Sequence, residues 1–197
     1  MEPSLIGHHL HPGDTYNIDN NIIVTAFNST DLGVSYLLQY DNFTIMHCGD
    51  LNYWHWMDES TLYEISNAEN EYKKIIKEIK KYSINVTMFP LDPSQGNMYD
   101  AGANYYIMEI KPDILIPMHF WNKTDMVFEY QKKNLDQKTK IVPLINSGDS
   151  INILFENKKI QQIEKYHLIR QISKNNTIEN NIEKEIDLLS SALNEPF

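Results

Sequence analysis

Three short stretches carry residue types that can hold a metal ion or move a proton. They are His47-Cys48-Gly49-Asp50-Leu51-Asn52, Pro90-Leu91-Asp92-Pro93 and Pro117-Met118-His119-Phe120-Trp121. Each closes an apolar run. A carboxylate can bridge two cations and a neutral imidazole can donate a ring nitrogen, so this is donor chemistry suited to zinc or iron. Taken singly, each signal is weak. A Gly-Asp pair is usually a turn, and a lone histidine at a strand end is more often a hydrogen-bonded rim residue. A fourth group, His8-His9-Leu10-His11, places three imidazoles close together, enough for a weak surface affinity for divalent ions.

These stretches need elements to position them. Asn21–Phe27 is rich in β-branched residues and reads as a buried strand. Val34–Tyr40 and Phe43–Cys48 read as a hairpin across Asp41-Asn42. Ile65, Ala68, Tyr72, Ile75, Ile76 and Ile79 recur at three- and four-residue spacing, which predicts a long amphipathic helix lying on a sheet. Asn85–Phe89 and Asp113–Met118 read as buried strands, with a helix at Tyr99–Ile110 between them. Thr124–Lys132 reads as a helix, and Lys140–Ile145 and Ser150–Phe155 as strands; Met1–Tyr16 reads as an irregular entry. Strands alternating with helices predict an α/β fold, a mixed sheet flanked by helices. Sites in such folds form at the carboxyl ends of strands, where the three stretches lie.

Composition narrows the function further. The 197 residues suffice for one domain with a real core. The net charge of −10 would repel a polyanion, so no nucleic-acid partner is expected. The single cysteine, Cys48, rules out a disulfide within the chain and suits a reducing cytoplasm. No apolar run is long enough for a transmembrane helix, and Met1–His11 lacks the order of a signal peptide, so no membrane role and a cytoplasmic location are expected. After about Lys158 the chain is dominated by Asn, Lys, Glu, Gln and Ile and has no glycine. Residues 1–157 are read as the domain and 158–197 as a polar, helical appendage, with Ile178–Leu193 able to form an amphipathic helix.

Read together, the motifs are more specific. Cys48-Gly49-Asp50-Leu51-Asn52-Tyr53-Trp54-His55-Trp56 resembles the Gly-Asp-Leu-Asn-Trp-Trp-His-Trp signature of a bacterial branch of the metallo-β-lactamase-fold hydrolases. Phe89–Pro93, Ile116–Trp121 and Ser29-Thr30-Asp31-Leu32-Gly33-Val34-Ser35 match that branch in the same order, over roughly residues 10–155. The branch is similar to the lactonases that open ascorbate phosphate. The resemblance implies a four-layer αββα sandwich and a metal-dependent hydrolase of the lactone, ester or phosphoester class. It implies Asp50 as the carboxylate bridging two metal ions and His119 as the late histidine ligand, both catalytic. Asp31 is the only residue placed to replace the family's middle histidine. His47 and His55 would be partners or substrate contacts, and Asn52, Trp54, Trp56, Asp92 and Trp121 would line a pocket for a small-molecule substrate. The same aromatics could instead pack beneath the long helix.

Two departures qualify this expectation. Ser94-Gln95 follows Asp92-Pro93, where family members usually carry an arginine that could contact an anionic substrate. The family's first metal loop, His-x-His-x-Asp-His, is also missing. In His8–Asp14, the nearest stretch, Gly13 stands in the place of the aspartate and Asp14 in the place of the last histidine. The fold is therefore expected to be N-terminally truncated, beginning roughly a hundred residues into a domain of ordinary size. A divalent metal (zinc, manganese or iron) would then be weakly bound or absent. An open sheet edge would call for a homo-oligomer or a partner chain. The alternatives to an active hydrolase are a non-catalytic truncated homologue serving as an interaction module, or one half of a split enzyme. A His-x-His-x-Asp-His motif encoded directly upstream of the Met1 codon supports the split or truncated enzyme; its absence, with no metal in the purified protein, supports the module.

Overall fold

The computed structural model describes residues 7–56 and 60–166. They fall into two compact units, Met1–Pro143 and Leu144–Phe197. The first contains one seven-stranded sheet whose spatial order follows the sequence: β1 (Thr15–Asn17), β2 (Ile22–Phe27), β3 (Ser35–Tyr40), β4 (Phe43–His47), β5 (Val86–Pro90), β6 (Ile114–Met118) and β7 (Lys140–Ile141). β1 to β4 pair antiparallel as a meander, and β4 to β7 pair parallel. Each parallel step crosses over through a helix: α1 (Leu62–Ile79), α2 (Ala101–Ile110) and α3 (Thr124–Lys133). The fold is α/β, a mixed sheet flanked by helices. A four-layer arrangement would need a second sheet and helix layer, which the described part of this unit does not itself contain.

Helix α1 begins at a capping box. Thr61 accepts from the Glu64 amide while the Glu64 carboxylate accepts from the Thr61 amide, satisfying two otherwise unpaired donors. Its buried stripe, Tyr72, Ile75, Ile76 and Ile79, follows the predicted spacing. These residues form one core with Leu37, Met46, Phe89 and Leu115 from one sheet face, and with Ala103, Tyr106, Ile107 and Tyr130 from the other two helices. On the opposite face of β3, Tyr36 and Tyr40 remain 39% and 48% exposed. The parallel strands are tied at their starts by Asn85. Its side chain accepts from the Thr44 amide (3.0 Å) and donates to Asp113 (2.8 Å), so β4, β5 and β6 enter in register.

Three elements depart from expectation. β1 lies in the segment expected to be irregular, where Tyr16 pairs with Val24 and the Gly13 amide donates to the Ala26 carbonyl at 2.8 Å. Three residues are too few for a β pattern to show. β7 stops after two residues, because Pro143 has no amide to extend the ladder. In the second unit, Ser150–Glu156 (β8) pairs with Lys159–Tyr166 (β9). Asn157 and Lys158 form the turn with φ of 53° and 63°, the left-handed pair a tight hairpin requires. A strand therefore occupies Lys159–Tyr166, at the start of the segment expected to be helical. The expected helix at Ile178–Leu193 lies outside the described residues. No helix among the described residues is long and apolar enough to cross a membrane.

Helix α2 begins against the loop after β4. A methyl group on Gly102 would stand 1.9 Å from Asn52 Oδ1 and 2.9 Å from the Tyr53 amide nitrogen. The Gly102 carbonyl accepts from the buried Tyr72 hydroxyl at 2.7 Å. Gly102→Ala should therefore destabilise the fold by about 1–3 kcal/mol, the range for overpacking, as a lowered urea midpoint with unchanged slope. An unchanged midpoint would show that this approach is not close.

Candidate functional site

The three chemistry-bearing stretches meet at the carboxyl ends of β4, β5 and β6. Gly49 turns the chain out of β4 with φ of +57°. A Cβ there would lie 2.9 Å from the Val34 carbonyl oxygen, so the turn before Asp50 needs glycine. The turn is held by the Leu51 amide donating to the Cys48 carbonyl (2.9 Å) and the Ser35 hydroxyl donating to the same carbonyl (2.6 Å). The Asp50 carbonyl accepts from the Trp54 indole at 2.9 Å. Thr30 clamps the loop from the neighbouring turn: its hydroxyl donates to the Asn52 carbonyl (2.6 Å) and accepts from the Asn52 amide (2.9 Å). These contacts fix the backbone and leave the Asp50 carboxylate open.

His119 faces that carboxylate. Its Nε2 lies 3.3 Å from Asp50 Oδ1, and its Nδ1 lies 3.0 Å from Asp92 Oδ2. The side chains of His119 and Asp50 are 32% and 36% exposed, whereas that of Asp92 is 6% exposed. One carboxylate is thus a buried anchor and the other is open to solvent. Two residues here adopt left-handed backbone without being glycine, His119 (φ 63°) and Trp121 (φ 52°). Each costs on the order of 1–2 kcal/mol relative to ordinary backbone. Strain of this kind persists only where surrounding contacts over-determine it, and it gathers at functional sites.

Asp92 supplies those contacts. Its Oδ1 accepts from the Ser94 amide (2.9 Å) and from the Ser94 hydroxyl; its Oδ2 accepts from the Trp121 indole (3.4 Å) as well as facing His119. Burial works against the charged carboxylate, but the Ser94 donors, His119 and Trp121 outweigh it and hold the group below the usual carboxylate range. Gln95, on the 3-10 turn Pro93–Met98, accepts from the His55 amide at 2.7 Å and ties this loop to the one carrying Asp50. Neither Ser94 nor Gln95 was expected as part of the site. The Asp-Pro-Ser order after a buried strand was the available signal, since Asp followed two residues later by Ser favours an Asx-type turn.

The other expected residues are placed as follows. Trp54 and Trp56 stack with centroids 5.6 Å apart and planes within 1°. Trp54 and Trp121 approach the His119 ring edge-on, at 6.2 and 5.3 Å. Trp121 is 70% exposed and Trp54 is buried. Asn52 is fully buried against the start of α2, with its Oδ1 accepting from the Tyr53 amide. His47 is exposed, and its Nδ1 accepts from the Gly49 amide at 3.1 Å. His55 is half-buried, edge-on to Tyr53. Asp31 is exposed on its loop. Among the described residues no three His, Cys, Asp or Glu side chains gather into a metal-ligand set, so Asp31 does not complete one with Asp50 and His119. Of the N-terminal histidines, His8 pairs with the Tyr16 hydroxyl at 2.7 Å. Cys48 is fully buried, and burial pushes its thiol well above the usual range, which makes it inert.

No family model matches the sequence, and no curated protein is similar to it. Among solved structures, a protein of Parabacteroides distasonis provisionally described as a metal-dependent hydrolase is similar at 16% identity with a TM-score of 0.49. The match covers 70% of this chain and 57% of that one. The chain thus spans little more than half the length of that protein, a likeness too distant to assign a reaction.

The lowered Asp92 pKa has a consequence for acid stability. A carboxylate whose folded value lies below its unfolded value, about 3.9, contributes fully above that pH. The contribution is lost as pH falls through the folded value. The stability gap between wild type and Asp92→Asn should therefore be constant near neutrality and shrink below about pH 4. Urea midpoints measured across that range check this; a gap that persists into strong acid contradicts it.

Proposed function

We propose that Asp50 and His119 are two ligands of a divalent metal centre that hydrolyses a small-molecule lactone, ester or phosphoester. The observation that carries the reading is the Asp92–His119–Asp50 line. Two ligands, each about 2.0–2.1 Å from a tetrahedral ion, stand about 3.3 Å apart, which is the Nε2···Oδ1 separation found here. A ligating histidine commonly donates its other ring N–H to a carboxylate, which fixes its tautomer and raises its basicity. Asp92 offers that acceptor. The residues fit the group as two donors of a larger set.

When bound, a divalent ion supplies Lewis acidity and an activated water. The chain's own residues do the rest. Asp92 accepts the Nδ1 proton and so turns the Nε2 lone pair outward. Asp50 holds negative charge opposite that lone pair. Thr30, Trp54 and Ser35 fix the Asp50 turn, so the carboxylate does not swing away. A second reading is a half-site completed by another chain, favoured by the absence of a third ligand among the described residues. It predicts metal retention only when that chain is present.

The test is metal content by elemental analysis, with zinc, manganese and iron affinities by competition. Asp50→Ala and His119→Ala should each abolish stoichiometric retention. Asp92→Asn should weaken it by about 10–100-fold, the range for loss of an outer partner. If Asp50→Ala and His119→Ala both retain wild-type metal, the reading falls.

A further inference from the structure

A cleft of about 810 Å³ runs beside α2, apart from the Asp50–His119 site. One wall is a single face of α2, from its N-cap Asp100 past Ile107 and Met108 to its C-cap Lys111. At 1.5 Å per residue that face is about 16 Å long. The other wall is the end of α3 and the chain leading to β7, which presents Lys133, Asp136 and Lys138. Lys111 leads into β6, and the Thr139 hydroxyl, just before β7, donates to the Pro112 carbonyl at 2.7 Å. Lys111 and Lys138 therefore share one end of the cleft, at the amino ends of the parallel strands. Asp50, Asp92 and His119 stand at the carboxyl ends.

The charges are unevenly placed. Lys133 donates to the Tyr99 hydroxyl at 3.4 Å and feels the charge of Asp100. At the other end, Lys111 and Lys138 form no ion pair among the described residues, and Asp136 is the lining carboxylate left to oppose them. Lys111 also ends α2 in left-handed backbone (φ 56°), where glycine is usual. A long cationic side chain stands there instead, and it lines the cleft.

We infer that this cleft binds a small organic anion, its carboxylate or phosphate held by Lys111 and Lys138 and its apolar body lying along Ile107 and Met108. Two ammonium groups from separate elements can each give a charge-assisted hydrogen bond to one anionic head. Met108 is 56% exposed, so an apolar body gains by covering it. Asn104 and Gln137, also on the lining, offer neutral amide donors that suit either head group. A concave site with an apolar stretch and a few polar groups at one end is the usual form of a small-molecule pocket.

Amide ¹⁵N–¹H spectra of the full chain, with chelator present, locate binding at Lys111, Gln137 and Lys138. The probes are hexanoate, hexyl phosphate, inorganic phosphate, hexanol and hexyltrimethylammonium. At least one of the two hexyl anions should shift these amides saturably and bind about tenfold more tightly than hexanol or hexyltrimethylammonium; the tighter of the two identifies the head group. Inorganic phosphate should bind more weakly than the tighter hexyl anion, for want of an apolar body. Lys111→Gly removes the cation and suits the left-handed backbone, so the fold is kept while anion binding weakens by about tenfold. Lys138→Gln should weaken it by a similar factor. Hexanol or hexyltrimethylammonium binding as tightly as the hexyl anions overturns the inference. So does inorganic phosphate matching them, the lack of any saturable shift at these amides, or unchanged binding in either variant.

Discussion

The hydrogen bond between Asp92 and His119 joins the side chains of the two loops that leave β5 and β6. It spans the ends of β5 and β6, and through His119 it reaches the turn after β4. Its cost is visible in the backbone, since His119 and Trp121 both occupy left-handed conformations that non-glycine residues avoid. Asp92 offsets that strain by engaging His119 and Trp121 with one oxygen while Ser94 saturates the other. A buried carboxylate with four donors around it is a fixed point. The exposed Asp50, by contrast, has its backbone fixed and its carboxylate free. One carboxylate is thus a buried support and the other is presented to solvent.

The sheet makes this possible. Parallel strands β4, β5 and β6 all deliver their carboxyl ends to one edge, so three loops distant in sequence meet there. Asn85 sets their register at the opposite end. The core of α1, α2 and one sheet face then fixes the platform. Gly102 and Gly49 are the two places where backbones must come close for the loops to sit as they do. The site is thus built on a packed layer.

Much of this was legible in the residues. The β-branched runs and the spacing Tyr72-Ile75-Ile76-Ile79 specify the strands and the long helix directly, because burial on one face enforces periodicity. The placement of Asp50, Asp92 and His119 just past the ends of three strands was legible too. Three things were not. The left-handed conformation of His119 and Trp121 leaves no trace where glycine is absent. Asn52 looked like a pocket residue but packs against Gly102, a contact 50 residues away that no local pattern encodes. The β8–β9 hairpin was hidden because the Asn157-Lys158 turn adopts left-handed backbone with no glycine, and the polar strand beyond it resembles a solvated helix.

The central claim is that Asp92 orients His119 so that Nε2 is the presented nitrogen. Long-range ¹⁵N–¹H correlation of the His119 ring, at a pH where the imidazole is neutral, tests it directly. The account predicts a proton on Nδ1 in the wild type and a shift of the tautomer balance toward Nε2–H in Asp92→Asn. A wild-type ring protonated on Nε2, unaltered by that substitution, would contradict it.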